Sequence, residues 1–267
     1  MTPWPKMKSA FLSAGRGLAT AALWVGKNAA AAFRAADPDL RRHVAQLPLV
    51  GLTLLVPSRT EVEPLPDDGH RPVVFVPGLG GGPGNFLPMR LFFRLMGRSR
   101  TYALEYDSTE SLEAMAERLG QFVEEVVERN GLPADVQVDV VAHSLGGLVA
   151  RMALEDERFR ARVATVITLG APHAGSHLAR YGATPYWRNL RPDSDALARL
   201  ARQLPWRGPP QQPRLICLWS EADVLLLPAC SARVEGAENV EVPGFTHYSY
   251  LVHPEGWRRT FTALGGS

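Results

Sequence analysis

The sequence predicts an α/β fold with a doubly wound, mostly parallel sheet, and three observations carry that prediction. Runs rich in Val, Ile and Leu recur at residues 71–77, 136–141, 163–169 and 214–219. They are apolar throughout rather than alternating, as strands are when helices cover both faces of a parallel sheet. Stretches with helical periodicity separate them, and strand alternating with helix at this spacing is the pattern of βαβ units. The third observation is Ser144, which sits where the 136–141 strand passes into a helical run within two residues.

Taken in order, the chain opens on a segment unlike the rest. At about 100° per residue, Phe11, Leu18, Ala22, Val25, Ala29 and Phe33 share one face, and Ser13, Arg16, Thr20, Lys27 and Arg34 gather opposite. This helix ends before Asp37-Pro38, and a second apolar patch covers residues 47–56. Residues 1–60 thus form an N-terminal amphipathic helical segment, either packed on the main domain or lying as a basic anchor on an anionic membrane. Arg16 interrupts the apolar stretch and no Ala-x-Ala pattern precedes Lys27, which favours a cytoplasmic or peripheral-membrane protein over an exported one. Residues 61–71, with Pro64, Pro66 and Asp67-Asp68-Gly69, read as a linker. Residues 72–267 form the α/β domain.

Within that domain the strand ending at Pro77 runs into Gly78-Leu79-Gly80-Gly81-Gly82-Pro83-Gly84, a loop whose backbone must approach something closely. A helix follows at 86–96, a short strand at 101–106 and a long amphipathic helix at 111–130, closed by Gly131 and Pro133. After the serine the helix continues to about Glu155, and the 163–169 strand follows. Residues 176–212 break the alternation with Tyr181, Tyr186, Trp187 and Trp206 among many prolines, and read as a cap insert. Within it Asp193 or Ser194 caps a short helix through Leu197, Leu200 and Leu204. The 214–219 strand, a short strand at 239–242 and a helix at 254–264 complete the domain.

At 267 residues, with 46% hydrophobic and 21% charged residues, the chain is long and apolar enough for one substantial core. A net charge of +2 excludes nucleic acid as the main partner. The charge is uneven, with +6 on residues 1–60 and −4 on the remainder. No uncharged apolar run reaches the length of a membrane span. The two cysteines allow a Cys217–Cys230 pair, although Cys217 in its apolar run reads as a buried hydrophobe.

The chemistry centres on Ala142-His143-Ser144-Leu145-Gly146. A strand that turns into a helix this tightly strains the serine backbone and projects its hydroxyl at the strand's carboxyl edge. Small residues must flank it, and Ala142, Gly146 and Gly147 do. The glycine-rich loop after Pro77 suits either a phosphate cradle or a set of N–H groups facing an oxyanion. Pro83 and the lack of Gly-Lys-Ser/Thr argue against the cradle, and the downstream serine favours the oxyanion. A serine needs a histidine base, and that base an acid to orient it. His173 and His177 follow the 163–169 strand, and His247 and His253 follow the last one. Asp223 lies just past the 214–219 strand, with Glu221 as runner-up; Asp193 and Asp195 are better explained as helix caps. The order serine, acid, histidine is met by Ser144, Asp223 and His247. His43 and His70 precede the sheet and are set aside, and His143 reads as site lining.

Three stretches carry a resemblance: residues 74–81, Val-Phe-Val-Pro-Gly-Leu-Gly-Gly; residues 138–151, Val-Asp-Val-Val-Ala-His-Ser-Leu-Gly-Gly-Leu-Val-Ala-Arg; and residues 168–176, Thr-Leu-Gly-Ala-Pro-His-Ala-Gly-Ser. Together with Asn189–Ser194, Asp223 and His247 they make the chain resemble the bacterial lipase and esterase branch of the α/β-hydrolases, similar to triacylglycerol lipases. Pro77 stands where such lipases usually have histidine, and Ala142 replaces the first elbow glycine. The resemblance implies an α/β-hydrolase fold, oxyanion-hole N–H groups from Leu79 and Leu145, and a substrate pocket near His143, His173 and Trp187.

The activity these readings imply is hydrolysis of carboxylic esters through an acyl-enzyme, with no metal and no organic cofactor. The same triad could deliver the acyl group to an alcohol instead of water, and a third reading is a non-catalytic binding protein on a hydrolase fold. The partners expected are a small-molecule or lipid ester, no nucleic acid, and a peripheral membrane contact through residues 9–36.

Overall fold

In a computed structural model of the chain, the structure describes residues 36–55, 62–107, 110–133, 135–182 and 185–266. The amphipathic helix expected ahead of Asp37, and with it the proposed membrane contact, lies outside the described residues. The chain divides into two compact units, residues 1–42 and 43–267. The described part of the first is the start of helix α1 (Pro38–Thr53), where the Asp37 carboxylate accepts from the Asp39 N–H at 2.8 Å. A proline in the first helical position costs no hydrogen bond, and Pro38 occupies it.

In the second unit, β1 (Val73–Val76) leads through a 3₁₀ turn at Pro83–Phe86 into α2 (Leu87–Leu95), and β2 (Thr101–Ala103) follows. Helix α3 (Leu112–Arg129) starts where the Ser111 hydroxyl accepts from the Ala114 N–H at 3.1 Å. Then come β3 (Val138–His143), α4 (Leu145–Ala153), α5 (Glu157–Arg162) and β4 (Val163–Leu169). The excursion after β4 carries a 3₁₀ turn at His177–Tyr181, α6 (Pro185–Asn189) and α7 (Asp195–Ala201). The chain ends with β5 (Arg214–Trp219), β6 (Glu238–Glu241), α8 (Ser249–Val252) and α9 (Pro254–Ala263).

All six strands pair in parallel, in the order β2-β1-β3-β4-β5-β6. The sheet is covered on both faces, so its side chains divide with the period of two that a strand imposes. Val74, Val76, Val140, Ala142, Val166 and Cys217 pack against α3 and α4. Val73, Phe75, Val141, Ile167, Leu169, Ile216 and Leu218 pack on the other face with Phe86, Met89, Phe93 and Phe261. Leu190, Leu197, Leu200 and Trp206 of the excursion join the first of these clusters, whereas Tyr181 is exposed.

From β1 the chain steps to one side for β2 and then to the other side for β3 and its successors. A doubly wound sheet binds its ligand where the strand order reverses, beyond the carboxyl ends. That switch point lies between β1 and β3, so the glycine-rich loop and Ser144 emerge side by side.

Several boundaries depart from the sequence reading. The second strand is three residues long rather than six. Helix α4 stops at Ala153, and Asp156 is the cap of the separate helix α5, its carboxylate accepting from the Arg158 N–H at 2.7 Å. Ser194, not Asp193, caps α7. The irregular stretch from Val62 to His70 is tied to the body, with the Leu65 N–H donating to Asn130 Oδ1 at 2.9 Å and the Asp68 carboxylate accepting from the Arg100 backbone N–H at 2.8 Å. Both cysteines are free; burial pushes the Cys217 thiol up to about 11, and Cys230 is exposed.

The small residues around Ser144 have a reason that the sequence reading placed only within the turn itself. A Cβ on Gly146 would lie 2.5 Å from the Val76 carbonyl oxygen and 2.6 Å from that of Pro77, both on the neighbouring strand end. Backbone cannot yield to such a contact as a side chain can. We expect Gly146→Ala to lower stability by about 1–3 kcal/mol, the usual range for overpacking, read as a lower urea midpoint in equilibrium unfolding. An unchanged midpoint would show that β1 and α4 are not held this closely.

Candidate active site

The site begins with the backbone of Ser144. Its φ of 52° and ψ of −122° make it the one described non-glycine residue with positive φ. Costs of about 1–3 kcal/mol attach to such conformations, which persist only where the surroundings enforce them. Here the enforcing contacts are the Ser144 N–H, which donates to the Leu169 carbonyl at 3.0 Å, and the Gly147 N–H, which donates to the Ser144 carbonyl at 3.0 Å. The result presents Oγ beyond the sheet, half-buried, at the N-terminus of α4.

The structure brings Ser144, His247 and Asp223 together from three strand ends. His247 Nε2 lies 2.9 Å from Ser144 Oγ. His247 Nδ1 lies 2.9 Å from Asp223 Oδ2 and 3.1 Å from Oδ1. A carboxylate can only accept, so Nδ1 carries the proton and Nε2 is left to accept from the serine hydroxyl. Asp223 and His247 are both buried, and the Leu225 N–H donates to Asp223 Oδ1 at 3.1 Å. Gly170, φ 55°, makes room behind them: a Cβ there would stand 2.9 Å from Asp223 Oδ2.

Beside the serine, the glycine-rich loop approaches as its composition required. A Cβ on Gly78 would lie 3.0 Å from the Ser144 Cβ. The Tyr106 hydroxyl donates to the Pro77 carbonyl, and the Gly82 N–H to Asn85 Oδ1 at 2.9 Å, so the loop is fixed at both ends. Leu79, half-buried, follows Gly78 in this loop, and Leu145 is the first residue of α4, where N–H groups have no partner within the helix.

The other residues singled out from the sequence take different places. His143 is buried with its Nε2 2.9 Å from the His247 carbonyl oxygen. That oxygen only accepts, so His143 donates from Nε2 and supports the backbone of His247. Burial, and then the nearby His247, push the His143 imidazole down to about 3. His173 is buried under the excursion, with Nε2 3.0 Å from Thr168 Oγ1, and burial holds it well below the ordinary histidine value. Arg151, lowered to about 10 by burial, donates to the Leu200 carbonyl, which ties α4 to α7. Trp187 is half-buried against the α3 and α4 side of the core.

Sequence reasoning placed residues 1–60 in a helical segment but gave helix α1 no part in the site. His43 was set aside for preceding the sheet, yet its ring stacks on Tyr248 with centroids 5.1 Å apart. Its Nδ1 is buried without a hydrogen-bond partner, and burial followed by the charge of His247 lowers its pKa. Gln46 and Thr53, on the same side of that helix, bond to the loops around His247 and the glycines. The signal was present: His43, Gln46, Val50 and Thr53 are spaced as one helical stripe.

A family model described as a domain of unknown function (DUF7379) matches residues 106–212, which hold the elbow and the excursion. Among solved structures the chain is similar to lipase B of Aspergillus fumigatus, with a TM-score of 0.59 and 18% identity over 75% of this chain and 55% of that one. It is similar to the mature lipase BlEst2 of Bacillus licheniformis, with a TM-score of 0.61 and 18% identity over 78% of this chain and 96% of that one. A monoacylglycerol lipase of Paleococcus ferrophilus matches with a TM-score of 0.51 and 16% identity over 74% of this chain and 97% of that one. The chain therefore spans about 55% of the length of the fungal enzyme and nearly all of the two microbial ones. These likenesses establish the α/β-hydrolase fold.

Three imidazoles near or behind the site, those of His43, His143 and His173, have pKa values held below 6.5. In the unfolded chain they bind protons near pH 6.5, so below that value the unfolded state holds more protons and stability falls with acidification. We expect the Tm to drop between about pH 7 and pH 4. His143→Gln, whose amide retains the donor to the His247 carbonyl, should make that drop shallower in thermal unfolding by circular dichroism. A Tm that rises on acidification would contradict the buried neutral rings.

Proposed function

We propose that the chain is a serine carboxylic-ester hydrolase that works through an acyl-enzyme. The observation that carries this reading is the continuous line from Ser144 Oγ through the His247 ring to the Asp223 carboxylate, with both links at 2.9 Å. His247 Nε2 takes the hydroxyl proton as Oγ attacks the ester carbonyl carbon. The oxyanion that forms faces the N–H groups of Leu79 and Leu145, and the positive end of α4 adds to their effect. Collapse breaks the C–O bond to the alcohol, and the proton on Nε2 passes to the departing oxygen. Water then attacks the acyl carbon, gives its proton to His247, and Ser144 is released. Asp223 keeps the Nδ1–H tautomer throughout and stabilises the ring while it is charged.

The substrate class we propose is a lipid-like ester. Helix α1, whose inner side adjoins the site, leaves Val44, Leu47, Leu49 and Leu52 exposed, and Leu55 just past its end is exposed as well. The solved relatives named lipases support the same class. Exposed leucines beside a catalytic serine suit an enzyme that meets its substrate at an apolar surface.

Ser144→Ala is expected to abolish p-nitrophenyl ester turnover and fluorophosphonate labelling of the folded protein. Asp223→Asn should reduce kcat by about 10⁴-fold, because the wrong tautomer is then held. Near-wild-type rates in the serine variant would refute the assignment. For the substrate class, Leu52→Ser with Leu55→Ser in the full chain should reduce co-sedimentation with anionic vesicles while leaving hydrolysis of a soluble short-chain ester within about twofold. Equal pelleting of variant and wild type would remove the apolar-surface part of the reading.

A further inference from the structure

Helix α1 lies outside the alternating α/β pattern, yet its polar side chains reach the loop that carries His247. Gln46 Nε2 donates to Ser249 Oγ at 2.9 Å, and Thr246 Oγ1 donates to Gln46 Oε1 at 2.9 Å. Thr246 Oγ1 and Ser249 Oγ are 3.2 Å apart. The one proton of the Thr246 hydroxyl is spent on Gln46, so Ser249 donates to Thr246, and the three side chains close a ring in which each donates once and accepts once. The Thr246 N–H also donates to Ser249 Oγ at 2.9 Å. The two hydroxyls bracket His247 in the chain, and both residues are buried.

The same helix grips two further points. One turn before Gln46, His43 stacks on Tyr248, the residue after His247. Two turns after it, the Thr53 hydroxyl accepts from Asn85 Nδ2 at 2.7 Å, and Asn85 Oδ1 in turn accepts from Gly82 N–H of the glycine-rich loop. Leucines on the opposite side remain exposed. A helix needed only for packing would bury its leucines and leave its glutamine in water; this one exposes its leucines and turns Gln46, half-buried, to the His247 loop.

We propose that Gln46 is a positioning residue for His247: through Thr246 and Ser249 it fixes the loop on which the imidazole sits at 2.9 Å from Ser144. Helix α1 is thereby part of the catalytic apparatus although it supplies no group to the reaction. This rests on the reading of His247 as the base of a serine hydrolase. Gln46 touches neither substrate nor ring, so its loss should alter the rate of bond making and leave substrate binding alone.

The test uses the full chain with Gln46→Met, which keeps length and bulk but can neither donate nor accept at those atoms, together with Thr246→Val and the double variant. The rate of Ser144 labelling by a fluorophosphonate is measured beside kcat and KM for a p-nitrophenyl ester and Tm. Labelling rate and kcat should fall about ten- to hundredfold, as small misplacements of reacting groups do, with KM within about twofold. The double variant should be no slower than the worse single, since both break one ring. Leu119→Ala, a core truncation on α3 away from the ring, serves for comparison and should lower Tm without slowing labelling. Wild-type labelling rates in Gln46→Met, or an equal slowing in Leu119→Ala, would overturn the positioning role while leaving the hydrolase reading intact. Wild-type protein whose Ser144 is not labelled at all would overturn both.

Discussion

The site depends on one constraint, the distance between the end of β1 and the start of α4. With the Val76 and Pro77 carbonyls within 2.6 Å of where a Gly146 side chain would begin, the backbone has a single way through, and Ser144 is left in its strained conformation. The strain is maintained by parallel pairing on both sides of β3, whose register sets Ala142 opposite Val76 on one side and Thr168 on the other. From this follow the exposure of the hydroxyl, the approach of Gly78 to the serine, and the placing of the first N–H groups of α4 beside the reacting atom. A rigid sheet thus supplies what a flexible loop could not, a serine hydroxyl whose position is decided by the fold itself.

Against that fixed hydroxyl, the imidazoles separate by environment. His143, His173 and His43 are held neutral by burial, and none of them has a carboxylate hydrogen-bonded to its ring among the described residues. His247 is equally buried but faces Asp223 with Nδ1 and Ser144 with Nε2. Only there does the ring have a carboxylate on one nitrogen and a hydroxyl on the other, the pairing that the proposed general base would use. His143 serves the same end from below, since its permanent neutrality makes it a dependable donor to the His247 carbonyl rather than a competing base.

Much of this was legible in the residues. The strands at 163–169 and 214–219 carry continuous apolar runs, and the structure has them at those residues, because a strand covered on both faces leaves little freedom in composition. Asp223 was singled out by its place just past a strand and Ser144 by its small neighbours, and the structure sets both at 2.9 Å from the His247 ring. The excursion after β4 was visible as a break in alternation, and its helix at Asp195–Ala201 was legible from Leu197, Leu200 and a capping Ser194, whereas the turns at His177–Tyr181 and Pro185–Asn189 were not, for their apolar positions are too few to set a period. The site-facing side of helix α1 escaped for a definite reason. Pro48 and Gly51 lie inside it, and both usually signal an interruption. Residues 47–56 were read only as an apolar patch, whereas the structure buries His43, Val50 and Thr53 and exposes the leucines.

That inversion is itself informative about how the site is held. Burying a polar side chain is unfavourable unless its hydrogen bonds are met, and leaving several leucines in water forgoes a further stabilisation of about 25 cal/mol per Å². A helix that does both stays in place only if most of its polar side is satisfied, and here the ring through Gln46, Thr246 and Ser249 and the Thr53–Asn85 bond provide that, His43 Nδ1 being the exception. Such bonds are directional where apolar packing is not, so they fix the helix in one orientation against the His247 loop rather than merely against the body. Two hundred residues of sequence separate Gln46 from Thr246, and a directional contact across that separation is the means by which an added segment comes to share in setting an active site.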